Sequence, residues 1–171
     1  MAEPDLGSWV LASLVGGVTG LDAASWPQAM ISRPLVSATL GGAVMGRPEA
    51  GLLAGAVLEL LTLRHHPLGA ARYPDTGPSG TVAGAACAAA GGGVAALAVS
   101  AAVGWLLGWV GSRTVHLLRG LNGRLLADPE ALAAKPRSLE RRQVLSIGLD
   151  FGRSAVLTAV FLVPAVLLAR A

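Results

Sequence analysis

Charge is scarce in this chain. Asp, Glu, Lys and Arg make up 13 % of its 171 residues, about half the roughly 25 % usual in soluble globular domains. No residue from Thr76 to Ser112 carries a formal charge, and a helix needs only about 20 apolar residues to cross a bilayer. A water-soluble core helix has no use for that much uncharged length. Aromatic residues number seven, and cysteine occurs once, at Cys87. A single thiol excludes a disulfide framework or a thiolate metal centre within one chain. Cys87 lies inside an apolar run and reads as a small residue filling a helix interface. The chain has no phosphate-binding Gly-Lys-Ser loop, no nucleophile elbow and no acid pair at catalytic spacing. Nothing local points to an enzyme, and no cofactor is expected. The start, Met1-Ala2-Glu3-Pro4-Asp5, is acidic, whereas a secretory signal needs a basic one. The first apolar run is therefore expected to be retained as a membrane segment.

What the chain does contain is Ala, Gly, Leu and Val. Hydrophobic residues reach 53 %, Gly occurs 23 times and Pro ten, and the mean hydropathy is +0.62. Lipid tails are as apolar as leucine, so helices in a bilayer associate through close van der Waals contact, which small residues permit. The composition predicts an all-α integral membrane protein: a polytopic bundle of packed, interrupted helices forming one membrane domain over 1–171.

Leu6 to Leu21 is apolar and Gly-rich, with Trp9 near one end and Trp26 beyond the other. It reads as a first span or a shallow insertion, its Trp rings either at headgroup level or simply packed. Asp22 to Arg33 is a more polar connection. Two short apolar runs follow, Leu35–Gly46 and Ala50–Leu63, separated by Arg47-Pro48-Glu49. Each falls about six residues short of a span. The pair suggests a re-entrant helical hairpin, with one kinked helix as the competing reading. Such breaks persist at membrane depth only when buried in protein or lining a wet cavity. First span and hairpin together occupy 6–64, and 65–80 is a loop. Residues 81–112 form the next transmembrane stretch. Counted from Thr76 as 37 helical residues, it would reach nearly 55 Å. It must tilt, break or begin extended, and Gly91-Gly92-Gly93 is the natural break.

Arg113 to Arg142 holds seven basic residues (Arg113, Arg119, Arg124, Lys135, Arg137, Arg141, Arg142) against three acids. The positive-inside rule places it in the cytoplasm. Leu117, Leu118, Leu121, Leu125 and Leu126 recur at helical spacing, so 113–145 reads as a basic cytoplasmic amphipathic segment. Topology accounts for these charges, and no nucleic-acid role is expected. A final span, 146–169, is closed by Arg170. Asp150 and Arg153, three apart on its first turn, are placed to pair or to snorkel.

Glu59 is the informative residue. It interrupts Ala56-Val57-Leu58-Glu59-Leu60-Leu61, with no basic residue nearer in sequence than Arg64. Burying a carboxylate at membrane depth costs about 2.5–3.5 kcal/mol on insertion scales, which marks it as a functional candidate. It can accept hydrogen bonds from sugar hydroxyls, carry a proton, or pair with Arg33 or Arg64. His65-His66 invites a metal reading, but adjacent helical histidines point about 100° apart. Zinc needs three or four ligands, and no metal site is expected.

Between Gly20 and Ser79 an ordered series of small motifs appears: Leu21-Asp22, Arg33-Pro34-Leu35-Val36, Thr39-Leu40, Gly41 and Gly46, Gly51 to Gly55, Leu58-Glu59, Gly69-Ala70-Ala71 and Pro74-Asp75. This series resembles the enzyme IIC membrane permease subunit of the mannose/fructose/sorbose family of sugar phosphotransferase systems. The resemblance puts Glu59 on the family's membrane-embedded glutamate. It implies a multi-pass protein of the bacterial inner membrane that binds and translocates a sugar, taken as a hexose, beside a IID membrane subunit. Phosphate would come from a histidine on a soluble IIB subunit, after relay through IIA. It further implies an oligomer of IIC–IID pairs. Sugar-site candidates are then Glu59 and Asp75, with Asp22 and Arg33 as lining or structural residues. The chain departs from the family at three points. Arg64 and Pro67 stand where a Gly-x-x-Asn-aliphatic-Gly pattern follows the glutamate, removing an amide. Arg47 replaces an Asp, and family members run considerably longer. Inverted-repeat transporters place substrate between their halves, so a chain matching the first two thirds is expected to lack a complete path of its own. The alternatives are a non-transporting membrane scaffold or regulator derived from the IIC fold, and an unrelated channel or proton-linked carrier that requires Glu59 to titrate.

Overall fold

The computed structural model describes residues 4–23, 25–65, 72–125 and 136–171. Among them the chain forms α1 (Leu6–Asp22), α2 (Pro34–Val44), α3 (Pro48–Thr62), α4 (Thr76–Ala89), α5 (Val94–Leu125) and α6 (Pro136–Arg170). Asp5 opens α1 by accepting hydrogen bonds from the amide and hydroxyl of Ser8, at 2.8 and 2.6 Å. Those donors hold its carboxyl below the usual carboxylate range. Pro34 and Pro48 begin α2 and α3, where a missing N–H costs no hydrogen bond.

α2 and α3 fold back on each other about Gly46, whose φ of +76° suits a residue without a side chain. Gly42 meets Gly51 near this turn, and Gly55 meets the backbone of Pro34 and Leu35 at the open end. The segment is a helical hairpin, not one kinked helix. Its tip is tied down by Arg47, which donates to the Gly91 carbonyl and pairs with Glu49.

α4 occupies the centre. Every residue from Gly77 to Ala89 is buried, and α4 packs against α1, α2, α3, α5 and α6 alike. Where its neighbours come closest, only glycine fits. A Cβ at Gly84 would lie 1.9 Å from the Ala38 carbonyl oxygen of α2. One at Gly77 would lie 2.4 Å from the Thr19 carbonyl oxygen of α1. Cys87, 1 % exposed, packs with Ala50, Ala54 and Ala88 in the interface between α3 and α4.

Two boundaries differ from the sequence expectation, and one expected break is found. The loop expected through Gly80 ends at Thr76, because Pro78 falls in the first turn of α4, where proline is tolerated. The stretch 81–112 is two elements, broken where the sequence offered Gly91-Gly92-Gly93: α4 ends at Ala89, and Gly91 and Gly92 adopt φ of +94° and +74°. α5 then continues past Arg113 to Leu125 without interruption, so the basic segment begins as an extension of a long apolar helix. Leu126 and Lys135 lie outside the described residues.

α5 and α6 are long and apolar enough to cross a bilayer. The outward faces of α1 (Val10, Leu11, Leu14, Val18) and α6 (Val156, Val160, Val163, Leu167) are exposed apolar surface, the surface that a hydrocarbon environment covers. Trp9 packs on the core and donates to the Pro4 carbonyl at 3.1 Å, whereas Trp26 is 67 % exposed.

Candidate functional site

The hairpin puts the C-terminal turn of α3 beside the N-terminus of α2, and with it Glu59 beside Arg33. The two form an ion pair, with side-chain exposures of 18 % and 57 % respectively. Glu59 also accepts from the Leu35 amide at 3.3 Å. An acid near a helix N-terminus gains from the unsatisfied amides there. Of the two basic partners open to Glu59 in the sequence, the structure selects Arg33, across the hairpin.

This pair lies on the wall of an open cavity of about 610 Å³, within the roughly 300–1,000 Å³ of small-molecule sites. Asp22, Gln28, Ser32, Tyr73 and Arg119 share that wall. Arg119 reaches in from α5 and donates to the Tyr73 hydroxyl at 3.0 Å. His65 also lines the cavity. Its ring stands edge-on to Trp105 and Trp109, at centroid distances of 5.4 and 5.3 Å. The surface therefore combines anions, cations, a phenol and neutral amides, a mixture suited to a polyhydroxy ligand that both donates and accepts hydrogen bonds.

Asp22, 3 % exposed, shapes the rim. Its two carboxylate oxygens accept from the backbone amides of Ala29 and Ser32, at 2.5 and 2.9 Å. Between and beside those amides, Gln28 and Met30 adopt φ of +60° and +63°. Left-handed backbone costs a non-glycine residue about 1–3 kcal/mol unless the surroundings over-determine it. The buried carboxylate does so here.

Asp75 takes a different position. It is 3 % exposed and lies outside the Glu59 cavity, in a neighbouring polar cluster. Arg153 donates to Asp75 at 2.7 Å, to Asp150 at 2.9 Å and to the Thr114 hydroxyl at 3.0 Å. The Ser25 hydroxyl donates to Asp150 at 2.6 Å. The expected Asp150–Arg153 pair forms, then, but Asp75 is its third member. The cluster ties the start of α4 to α5, α6 and the α1–α2 connection, around a void of about 10 Å³, room for about one water.

Of the four site residues expected from sequence, the structure gathers Asp22, Arg33 and Glu59 on one cavity and sets Asp75 beside it. Sequence reasoning missed Gln28, Ser32, Tyr73 and Arg119 as residues of the site. No sequence signal marks Gln28 or Arg119 for it, while Tyr73, the only tyrosine, stands in a polar loop and was a legible candidate. His66, Pro67 and Gly69-Ala70-Ala71 lie outside the described residues. Among the described residues no three His, Cys, Asp or Glu side chains gather as metal ligands would.

The family model described as "PTS system sorbose-specific iic component" matches residues 6–169. The PTS system sorbose-specific EIIC component of Lacticaseibacillus casei is 31 % identical over 74 residues, 43 % of this chain and 25 % of that protein. The fructose permease IIC component of Bacillus subtilis is 36 % identical over 67 residues, 39 % of this chain and 24 % of that protein. These alignments thus span about a quarter of each relative. Among solved structures, a chain in the cryo-EM complex of the mannose transporter ManYZ with a microcin superposes with a TM-score of 0.80 at 22 % identity. The match covers 96 % of this chain and 65 % of that one. A second, described as a membrane protein, gives 0.80 at 21 % identity, covering 95 % and 65 %. At these identities the structural likeness shows the fold.

Proposed function

Because this chain belongs to the family of sorbose-specific IIC components of the phosphotransferase system, a family of membrane permeases, we propose that it binds a hexose in the Glu59 cavity and forms part of its path across the bacterial inner membrane. The observation carrying this reading is the Glu59–Arg33 pair, set at the foot of the hairpin on the wall of a ligand-sized polar cavity. The Glu59 carboxylate accepts hydrogen bonds from sugar hydroxyls, while Arg33 balances its charge and offers donors of its own. Charge-assisted bonds of this kind are roughly twice as strong as neutral ones. The chain acts with a IID-like membrane subunit, which completes the path, and with a soluble IIB-like phosphocarrier, which supplies the phosphoryl group. The pairs assemble further into oligomers. In this arrangement the chain spans the bilayer several times, with the basic stretch 113–142 facing the cytoplasm.

The decisive substitution is Glu59→Gln. It retains size and one acceptor oxygen and removes the charge. Hexose binding to membranes carrying the chain and its partners is expected to fall at least tenfold, with recovery of the partners by affinity purification unchanged. Unaltered uptake by the Gln variant would make Glu59 structural. The second reading, a non-transporting scaffold on the same fold, is favoured by Arg64 and Pro67 at the positions of the family's Gly and Asn. It predicts co-purifying partners but no hexose binding even by the unmodified chain.

A further inference from the structure

The wall of the Glu59 cavity includes a stretch that the family-like motifs do not cover, the connection from α1 to α2. Its backbone is held in an unfavourable shape, with Gln28 and Met30 at left-handed φ. Glycine would adopt those angles without strain, yet neither position carries it. The restraint comes from Asp22, a buried carboxylate with both oxygens occupied by the amides of Ala29 and Ser32. With those oxygens committed, Asp22 has little left to offer a ligand. Glu59, paired with Arg33 and the Leu35 amide, keeps lone pairs for a sugar hydroxyl. Gln28 lines the cavity and is exposed, so its side-chain amide is open to a ligand. A carboxamide presents donors and an acceptor from one rigid plane, which matches two neighbouring hydroxyls on a sugar ring.

We propose that Gln28 is a sugar-recognition residue that bridges hydroxyls of a hexose held beside Glu59, and that Asp22 is a positioning residue acting on it through the amides of Ala29 and Ser32. The inference rests on the sugar-binding reading above. The two acids of the cavity then have separate roles, Glu59 meeting the ligand and Asp22 setting the wall. It also makes this connection, and not the helices, the place where one hexose is told from another, since Gln28 would read the arrangement of adjacent hydroxyls.

The test is equilibrium binding of labelled D-fructose, D-mannose and L-sorbose to membranes containing the full chain with its partner subunits. Gln28→Gly accepts φ of +60° freely, so the fold is retained while the amide is lost. Affinity for the preferred hexose is expected to fall by about threefold to tenfold, the worth of one net neutral hydrogen bond. Preference among the three sugars should narrow, and thermal stability should hold or rise. Gln28→Asn keeps an amide and tolerates left-handed backbone, and should recover part of the affinity. Asp22→Asn should weaken binding by itself yet add nothing in the Gln28→Gly background, because it works through the missing side chain. Undiminished affinity and unchanged ranking in Gln28→Gly, with Glu59→Gln defective, would overturn the inference and leave the sugar-binding reading standing. Additive losses for Asp22→Asn would overturn the positioning role. Absence of binding by the unmodified chain would sink both readings.

Discussion

Substituting Gly84 by alanine adds one methyl group at the place where α2 and α4 come closest. Built on the observed backbone, that methyl carbon would lie 1.9 Å from the Ala38 carbonyl oxygen and 2.5 and 2.6 Å from its C and Cα. Ordinary contact begins near 3.4 Å, so the helices must part by about 1.5 Å at this point. α2 has nowhere to retreat. The same Ala38 oxygen lies 2.3 Å from the Cβ position of Gly51 on α3, so displacing it drives it into the other arm of the hairpin. Overpacking typically costs about 1–3 kcal/mol, and a clash with backbone on two sides belongs in the upper half, about 2–3 kcal/mol. At roughly 2–4 °C per kcal/mol for a chain of this size, Tm should fall by about 4–12 °C. Gly120→Ala is the control, since a Cβ there has nothing within 4 Å. Its helix propensity gain of about 0.8–1 kcal/mol should leave Tm level or higher. Thermal melts of both variants and the parent in the same mild detergent decide the matter. If Gly84→Ala melts within about 1 °C of the parent, the described contact between α2 and α4 is wrong.

Two further outcomes follow from the packing. Arg153→Met leaves Asp75 and Asp150 buried without their common cation and should cost about 3–5 kcal/mol, read as a lower Tm and a lower yield of folded protein. Adding Asp75→Asn should return part of that loss, and a stable single variant would refute the buried network. Cys87, 1 % exposed, should resist a membrane-permeant maleimide in native membranes and react on denaturation. Equal rates in the two states would place α4 at the surface.

The sequence made local punctuation legible. Arg47-Pro48-Glu49 between two runs too short to span announced the hairpin, and Gly91-Gly92-Gly93 announced the break before α5, because proline and glycine act on their immediate neighbours. Pro78 misled for the same reason: a proline reads as loop unless its place in a helix's first turn is known, and that place depends on where the helix starts. Glu59 stood out because a carboxylate in an apolar run has few explanations. Asp75 did not reveal its role, since its partner Arg153 lies 78 positions away and only the fold brings α6 against the start of α4. Gln28 was silent for another reason. Its significance lies in a backbone angle imposed by Asp22, and nothing in the side chain of glutamine predicts left-handed φ.

α4 shows no exposed face from Gly77 to Ala89, where every residue is buried, and among the described residues it packs against the other helices. At 14 residues it is also only about 21 Å long, short of the roughly 30 Å hydrocarbon core. Partition into lipid therefore cannot hold it in place, and its own hydropathy has little influence on where it resides. Such a segment is held by its neighbours, not by lipid. Its placement rests on α1, the hairpin and the two long helices closing around it, and the volume of its side chains matters more to that fit than their polarity.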